Sequence, residues 1–456
     1  MKTTCRIMTA LLAAACTFSA FPVPASAAVS KSVLSSYNNG SSLSGFTKTE
    51  KQLYNVLRTD FINIGAGKAK IRSIDTSVGS KKYISTSITV TSAKVPGVTG
   101  LDNDSWIRVI KKLSYDLPYA TYWLNVSKLP RIETLDNKCV LSIFCGKDFA
   151  VSDGDIVYEF MLSLDSLQRV EKSIANAKKI VAANEGKSDY EKMHAYLLAV
   201  DNMVRYNSIV IDLVNDADKI DPWQFTSVLD GDPDTNGVCE AYSKAFNLLC
   251  DLSTFSNKKV KSYIVTGSLV PSIVGHMWNV VTFGDGRYFL ADATNCDYEF
   301  GAPDKLFPGK DHAVPEGSAD AGYTFYLPDD DVSYRYDNDC YEIYGNDSDS
   351  ILNLSTEQYD PAESGFAKGK AVGYSFSLAK SAVSLKSGGS ARIKLSADSD
   401  SDLISKLTYK SDSPKVVKVS SKGKVTALKK GTAVIKVKAA FVDGSSKTLK
   451  AKITVK

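Results

Sequence analysis

Two spacings of apolar residues run through this chain. Apolar positions three and four apart share one face of a helix, and alternating positions share one face of a strand. The first spacing predicts helices at 47–64, at 106–113, and from 158 to 184 with a stop near Gly186. The next helix has a defined start. Ser188 with Glu191 three residues on forms a capping box, and Met193, Tyr196, Leu197, Val200, Met203 and Val204 follow as a core stripe. A loop at 226–237 precedes a further helix from Cys239 to about Leu252. Alternation predicts strands at 80–94, 260–268, 276–282 and 287–293, the last two joined as a hairpin around Gly284-Asp285-Gly286. Residues 28–45, rich in Ser, Asn and Gly, read as a loose leader, and 303–370 as turn-rich irregular structure ending in a linker near 362–372.

The pattern changes beyond that linker. Ala391, Ile393 and Leu395 alternate, as do Ala433, Ile435 and Val437, and then Leu449, Ala451, Ile453 and Val455. Glycine-bearing turns at 387–389, 421–424, 430–431 and 443–444 separate the runs. Short alternating strands at this spacing predict an antiparallel β-sandwich. Charge divides the chain at the same place. From Ala371 onward there are 18 Lys or Arg against 5 Asp, a net of +13, whereas the whole chain carries +4, so the rest carries −9. Two units with different roles are expected.

The start of the chain reads as an export signal. Lys2 and Arg6 precede an apolar stretch to about Phe21, and Ala25-Ser26-Ala27 has the small-residue pattern of a cleavage site. The stretch is shorter than the roughly 20 residues a spanning helix needs, and no later segment is apolar enough, so an exported protein without a membrane span is expected. Of eight cysteines, six follow the cleavage site. Cys139 and Cys145 are the most plausible local disulfide, and the absence of any C-x-x-C pair argues against a structural zinc site. No cofactor is implied. Nucleic acid is an improbable partner, given the export signal and the lack of an aromatic-basic motif.

Three residues carry the candidate chemistry. Cys239 falls at the first turn of its helix, where the partial positive charge favours the reactive thiolate. His276 opens one hairpin strand and offers a base to take the thiol proton and return it to a leaving group. Asp292 ends the other strand, where an unpaired acid is costly. With the turn centred on Gly284, paired residues sum to 568, and His276 stands opposite Asp292 on one face. Asp292 then orients the imidazole and stabilises its charged form. The Cys239 backbone N–H is one oxyanion donor. Trp223 and Gln224 in the preceding loop are candidates for the second, and Asn279 is a weaker one. The run Asp232-Pro-Asp234-Thr-Asn236-Gly237 matches half of a calcium loop, but Ser243 stands where the closing Glu belongs, so it reads as an ordinary Asp/Asn turn. His194 and His312 read as surface or packing residues.

The runs Gly-Val-Cys-Glu-Ala-Tyr-Ser-Lys-Ala-Phe, His-Met-Trp-Asn-Val-Val and Tyr-Phe-Leu-Ala-Asp-Ala-Thr resemble the bacterial transglutaminase-like superfamily, most strongly over 188–298. Ala241 departs from the glycine usual there. The resemblance implies an α+β papain-like core with Cys239, His276 and Asp292 as its triad. Residues 374–456 resemble the bacterial immunoglobulin-like domain of group 2, with Tyr409 where many members have Trp. The expected organisation is a signal peptide at 1–27, an N-terminal α/β region of unknown role at 28–180, a catalytic domain at 181–365 and the Ig-like domain at 372–456. The expected function is a secreted or cell-surface bacterial cysteine enzyme. It acts on amide or peptide bonds of a protein, a peptide or a cell-wall peptide, by hydrolysis or by transamidation. The basic domain meets anionic wall polymers or acidic glycans, or is simply a solvated lysine-rich surface. The competing reading is a non-catalytic binding or adhesion protein on the same scaffold.

Overall fold

The computed structural model describes residues 29–37, 42–207, 222–232, 235–270, 274–294, 373–456 and short pieces between 335 and 363. The expected signal peptide, Asp234, Cys296, His312, Cys340 and most of 303–370 lie outside them.

The stretch expected to be a loose leader is packed. It forms a short helix, α1 (Lys31–Leu34), and Val29, Val33, Leu34 and Tyr37 are buried. The Tyr37 hydroxyl accepts from the backbone N–H of Ile264 at 3.2 Å, and its ring meets Tyr119 edge-on. Polar composition hid these few apolar residues, whose partners lie far along the chain. Helix α2 (Lys48–Gly65) starts at a capping box of Thr47 and Glu50, and packs on α3 (Asn103–Asp116), which Asp102 caps. The Tyr54 hydroxyl donates to Asp116 across that contact at 2.6 Å.

Two small sheets complete the N-terminal part. One runs β1 (Ile71–Thr76), β2 (Gly79–Ser85), β7 (Ile156–Ser163), β6 (Ala150–Asp153). The other runs β3 (Ser87–Thr91), β5 (Lys138–Ser142), β4 (Arg131–Leu135). The single strand expected at 80–94 is thus two strands in different sheets. The chain switches at buried Thr86, whose N–H bonds Phe160 and whose hydroxyl donates to the Ile143 carbonyl. The helix expected from residue 158 begins only at α4 (Leu167–Ala183). Tyr158, Phe160 and Leu162 also fit a period of two, and β7 is paired on both edges, so the ladder wins over helical spacing. Cys139 and Cys145 are free thiols rather than a bridge. Cys139 Sγ faces the Val98 carbonyl at 3.6 Å and Cys145 Sγ the Thr86 hydroxyl at 4.0 Å, so the two thiols turn to different partners.

The central layer holds α5 (Asp189–Met203), β8 (Arg205–Tyr206), α6 (Phe225–Leu229), β9 (Asn236–Gly237) and α7 (Cys239–Leu252). Ser188 and Glu191 form the expected capping box of α5. The segment expected to be a loop at 226–237 contains most of α6, because Phe225, Val228 and Leu229 bury into the core. A sheet covers α7. It runs β12 (Phe289–Ala291), β11 (Val274–Thr282), β10 (Lys261–Val270), with β13 (Arg335–Tyr336) and β14 (Glu342–Ile343) on the outer edge of β10. Helices α4, α5 and α6 enclose α7 on its other sides. The boundary expected at residue 180 therefore falls inside a helix that packs on α7.

The C-terminal part is the predicted β-sandwich. One sheet runs β15 (Ala382–Leu385), β21 (Ser446–Val455), β20 (Gly431–Phe441), β17 (Ile404–Ser411). The other runs β16 (Ser390–Arg392), β19 (Lys424–Ala427), β18 (Val417–Val419). All pairs are antiparallel except β15 with β21. The sandwich docks on the central helices. Lys179 pairs with Asp400 at 2.9 Å, Lys172 with Asp402 at 3.5 Å, and the Asn202 amide donates to the Val442 carbonyl at 2.9 Å.

Burial of Leu34 predicts that Leu34→Ala costs about 2–5 kcal/mol, measured as a lower midpoint of denaturant unfolding. An unchanged midpoint would return residues 29–37 to the status of a loose leader.

Candidate active site

Helix α7 begins at Cys239, as the spacing predicts, with extended Val238 as its N-cap. Its first turn is fastened to β11. The Ser243 hydroxyl lies 2.9 Å from the carbonyls of both Cys239 and Met277, so its one proton is shared between helix and strand. Buried Asn279 works from the strand side, donating to the Ser243 carbonyl at 3.2 Å and lying 3.4 Å from the Tyr263 carbonyl. Its amide thus serves as a brace, whatever else it does. A further chain ties α7 to the N-terminal part: Asn247 donates to the Tyr119 hydroxyl at 2.8 Å, and Tyr119 donates to Asp251 at 2.7 Å. Burial lifts the Asp251 carboxyl to about 7, against the pull of those hydrogen bonds.

His276 and Asp292 come together. His276 Nε2 lies 2.6 Å from Asp292 Oδ2, and both residues are buried. The register differs from the expected one. Asn279 pairs with Ala291, Val280 with Leu290 and Val281 with Phe289, so paired residues sum to 570 and the turn centres on Asp285. Gly284 and Gly286 both take left-handed φ, at 88° and 92°. A Cβ on Gly284 would strike the Asn257 amide and Lys259, so no other residue fits there without rearrangement. The slip is two residues, which preserves the face. His276 and Asp292 become diagonal neighbours instead of direct ones, still within reach.

Cys239 is an electrostatic neighbour of the His276 ring. Burial pushes the ring towards its neutral form, but the adjacent Asp292 carboxylate, with help from Cys239, outweighs it and holds the histidine up at about 10, against 6.5 ordinarily. Trp278, two residues along and on the same face, stacks on the ring with centroids 5.7 Å apart. A π-face at that distance also favours the charged ring.

Tyr206 is a site residue that the sequence did not reveal. Strand β8 pairs in parallel with β9, setting Tyr206 beside Gly237, two residues before Cys239. The hydroxyl lies within electrostatic reach of Cys239 and Asp292. Burial first, and then the neighbouring Cys239 and Asp292, keep it protonated far above the usual range. A lone tyrosine just after a helix gives no signal in sequence; only the two-residue ladder carries it to the site.

Gln224 is buried as the N-cap residue of α6, and its amide oxygen accepts from Lys244 Nζ at 3.2 Å, while Trp223 is half-buried against the core. Lys244 also pairs with Glu240 at 2.5 Å. Of the half calcium loop, Asp232 and Thr235 turn to Asp230 just before it, which accepts from the Asp232 N–H at 3.0 Å and from the Thr235 hydroxyl at 3.2 Å. His194 is half-buried beside Tyr190.

Comparison with known families matches residues 405–443 to the bacterial Ig-like domain, within the sandwich. No transglutaminase-like family matches. A search of curated proteins returns no match. Among the described residues, no helix is long and apolar enough to cross a membrane.

A raised pKa of His276 means that the folded state holds its proton more tightly than the unfolded chain. The pair's contribution to stability is therefore full below about pH 6.5 and is lost as pH rises through about 10. Asp292→Asn should drop the ring pKa by several units in an NMR titration and flatten the fall in unfolding midpoint between pH 7 and 11. Identical titrations in the two proteins would show that Asp292 does not hold the charge.

Proposed function

We propose that this protein is an exported cysteine acyl-transfer enzyme on a transglutaminase-like, papain-type core, acting on amide or peptide bonds. One observation supports the reading: His276 is clamped by Asp292 at 2.6 Å on one nitrogen, within electrostatic reach of Cys239 at a helix start. The Cys239 sulfur attacks the amide carbon with its proton already held by His276. The C–N bond of the tetrahedral adduct then breaks as His276 gives that proton to the leaving nitrogen. The thioester left on Cys239 is attacked by water, whose proton goes to His276 and stays there as the sulfur leaves and the acid departs. An amine in place of water would give transamidation. Hydrolysis is favoured because water needs no second binding site. The Cys239 N–H and the Tyr206 hydroxyl, a protonated donor beside it, are the groups best placed to stabilise the oxyanion; Gln224 and Trp223 remain candidates in the adjoining loop.

Residues 1–27 support export, and the sandwich supports a surface role as a group 2 Ig-like module. Its net charge of +13 from Ala371 onward fits anionic wall polymers. Such binding should weaken steeply as salt rises from 50 to 500 mM in a cosedimentation assay with wall fragments; salt-independent binding would point to a specific glycan site instead.

Iodoacetamide at neutral pH should alkylate Cys239 well ahead of free cysteine. On a peptide substrate found by library screening, His276→Ala should lower kcat by about 10²–10⁴, and Tyr206→Phe by about 10²-fold if its hydroxyl serves the oxyanion. A Cys239 no more reactive than free cysteine, and indifferent to His276→Ala, would favour the non-catalytic binding protein.

A further inference from the structure

A cavity of about 320 Å³ opens beside the start of α7, walled by α3 and the segment 121–130 on one side and by Gln224, Glu240 and Lys244 on the other. We propose that it receives an apolar side chain of the acyl donor, so that the N-terminal region supplies the specificity wall of the enzyme. This deepens the acyl-transfer reading and rests on it.

Position is the first argument. Glu240 follows Cys239 directly, and consecutive Cα atoms are about 3.8 Å apart, so the cavity starts within one residue of the nucleophile. The cavity opens on the Glu240–Lys244 face of α7, one position around the helix from Cys239, so a chain bound at Cys239 that turns toward this face brings a neighbouring side chain to it. The volume lies at the low end of the range of about 300–1,000 Å³ for ligand sites, room for one large side chain and its peptide unit.

Chemistry is the second. Ile107, Ile110, Leu124, Val126, Leu129 and Pro130 make the wall apolar. Its cations are engaged: Lys244 pairs with Glu240, Lys128 with Glu159, and Lys111 lies over the Tyr115 ring at 5.3 Å. An acidic side chain would compete with Glu240 and Glu159 for two of these charges, whereas leucine or phenylalanine would lose water against the hydrocarbon wall. At the lip, Val126 and Leu129 are 57% and 71% exposed, apolar surface that an occupant would cover.

Preorganisation is the third. The 121–130 segment is held by its backbone before any ligand arrives: Leu124 N–H bonds Thr121, Asn125 N–H bonds Phe144, and Gly146 N–H bonds Trp123. A wall already ordered saves the entropy of forming it on binding.

The test uses the full-length protein and peptidyl fluoromethyl ketones that differ only in one residue next to the reactive group. Rates of Cys239 labelling are divided by the iodoacetamide rate of the same protein. Leu and Phe probes should react about tenfold or more faster than Gly or Asp probes. Val126→Asp with Leu129→Asp, both exposed positions tolerant of change, should erase that preference. A preference for the acidic probe, no preference, or one that survives both substitutions overturns the proposal. In parallel, calorimetry follows N-acetyl-leucyl-glycinamide binding to Cys239→Ala. Binding that Leu129→Asp weakens about tenfold supports the site even if every electrophile leaves Cys239 untouched, an outcome that would sink the acyl-transfer reading alone. No binding, or binding indifferent to Leu129→Asp, overturns the site.

Discussion

The shared proton of Ser243 fixes the distance on which the candidate site depends. One hydroxyl spans the Cys239 carbonyl on the helix and the Met277 carbonyl next to His276 on the strand. Asn279 fastens the same two elements from the other direction. Sulfur and imidazole thus belong to separate elements whose separation is set in the core rather than at the surface. A buried polar contact of this kind is stabilising only when fully made, so there is little freedom for the helix to slide along the sheet. Tyr119, Asn247 and Asp251 extend the constraint to the N-terminal part, which is why that part is continuous with the site rather than an appendage.

Much of this was legible in the sequence, for a reason that also explains the errors. The hairpin was legible from its glycines, and its register slipped by two residues rather than one, which keeps the face. The expected sum of 568 and the observed sum of 570 place His276 and Asp292 on one face alike. The start of α7 was legible because a helix-start cysteine follows a polar turn, and the start of α5 because its capping box is local. What misled were segments whose fate is decided at a distance. Tyr158, Phe160 and Leu162 satisfy both a helix and a strand until β2 and β6 claim them. Thr86 looks like any strand residue until two sheets compete for its backbone. Val33, Leu34 and Tyr37 are too few to register against serines and asparagines, yet Ile264 and Tyr119 wait for Tyr37. Tyr206 depends on a ladder of two residues.

The electrostatics of the sandwich divide by face. Its lysine excess lies along a chain whose one acidic loop, holding Asp400 and Asp402, turns inward to Lys179 and Lys172. Two of the module's five aspartates, Asp400 and Asp402, are spent on docking, and the lysines elsewhere on its surface outnumber the three that remain.

The parallel pairing of β15 with β21 gives the module a mechanical character. Ala382 pairs with Lys452 and Leu385 with Val455, so the chain enters β15 at one end of the ladder and leaves β21 at the other. Tension between those two points acts along the strands. It loads every backbone bond of the ladder together, as a lap joint is loaded, instead of peeling them apart in turn. Whatever the sandwich is fastened to, a pull across it meets resistance in shear.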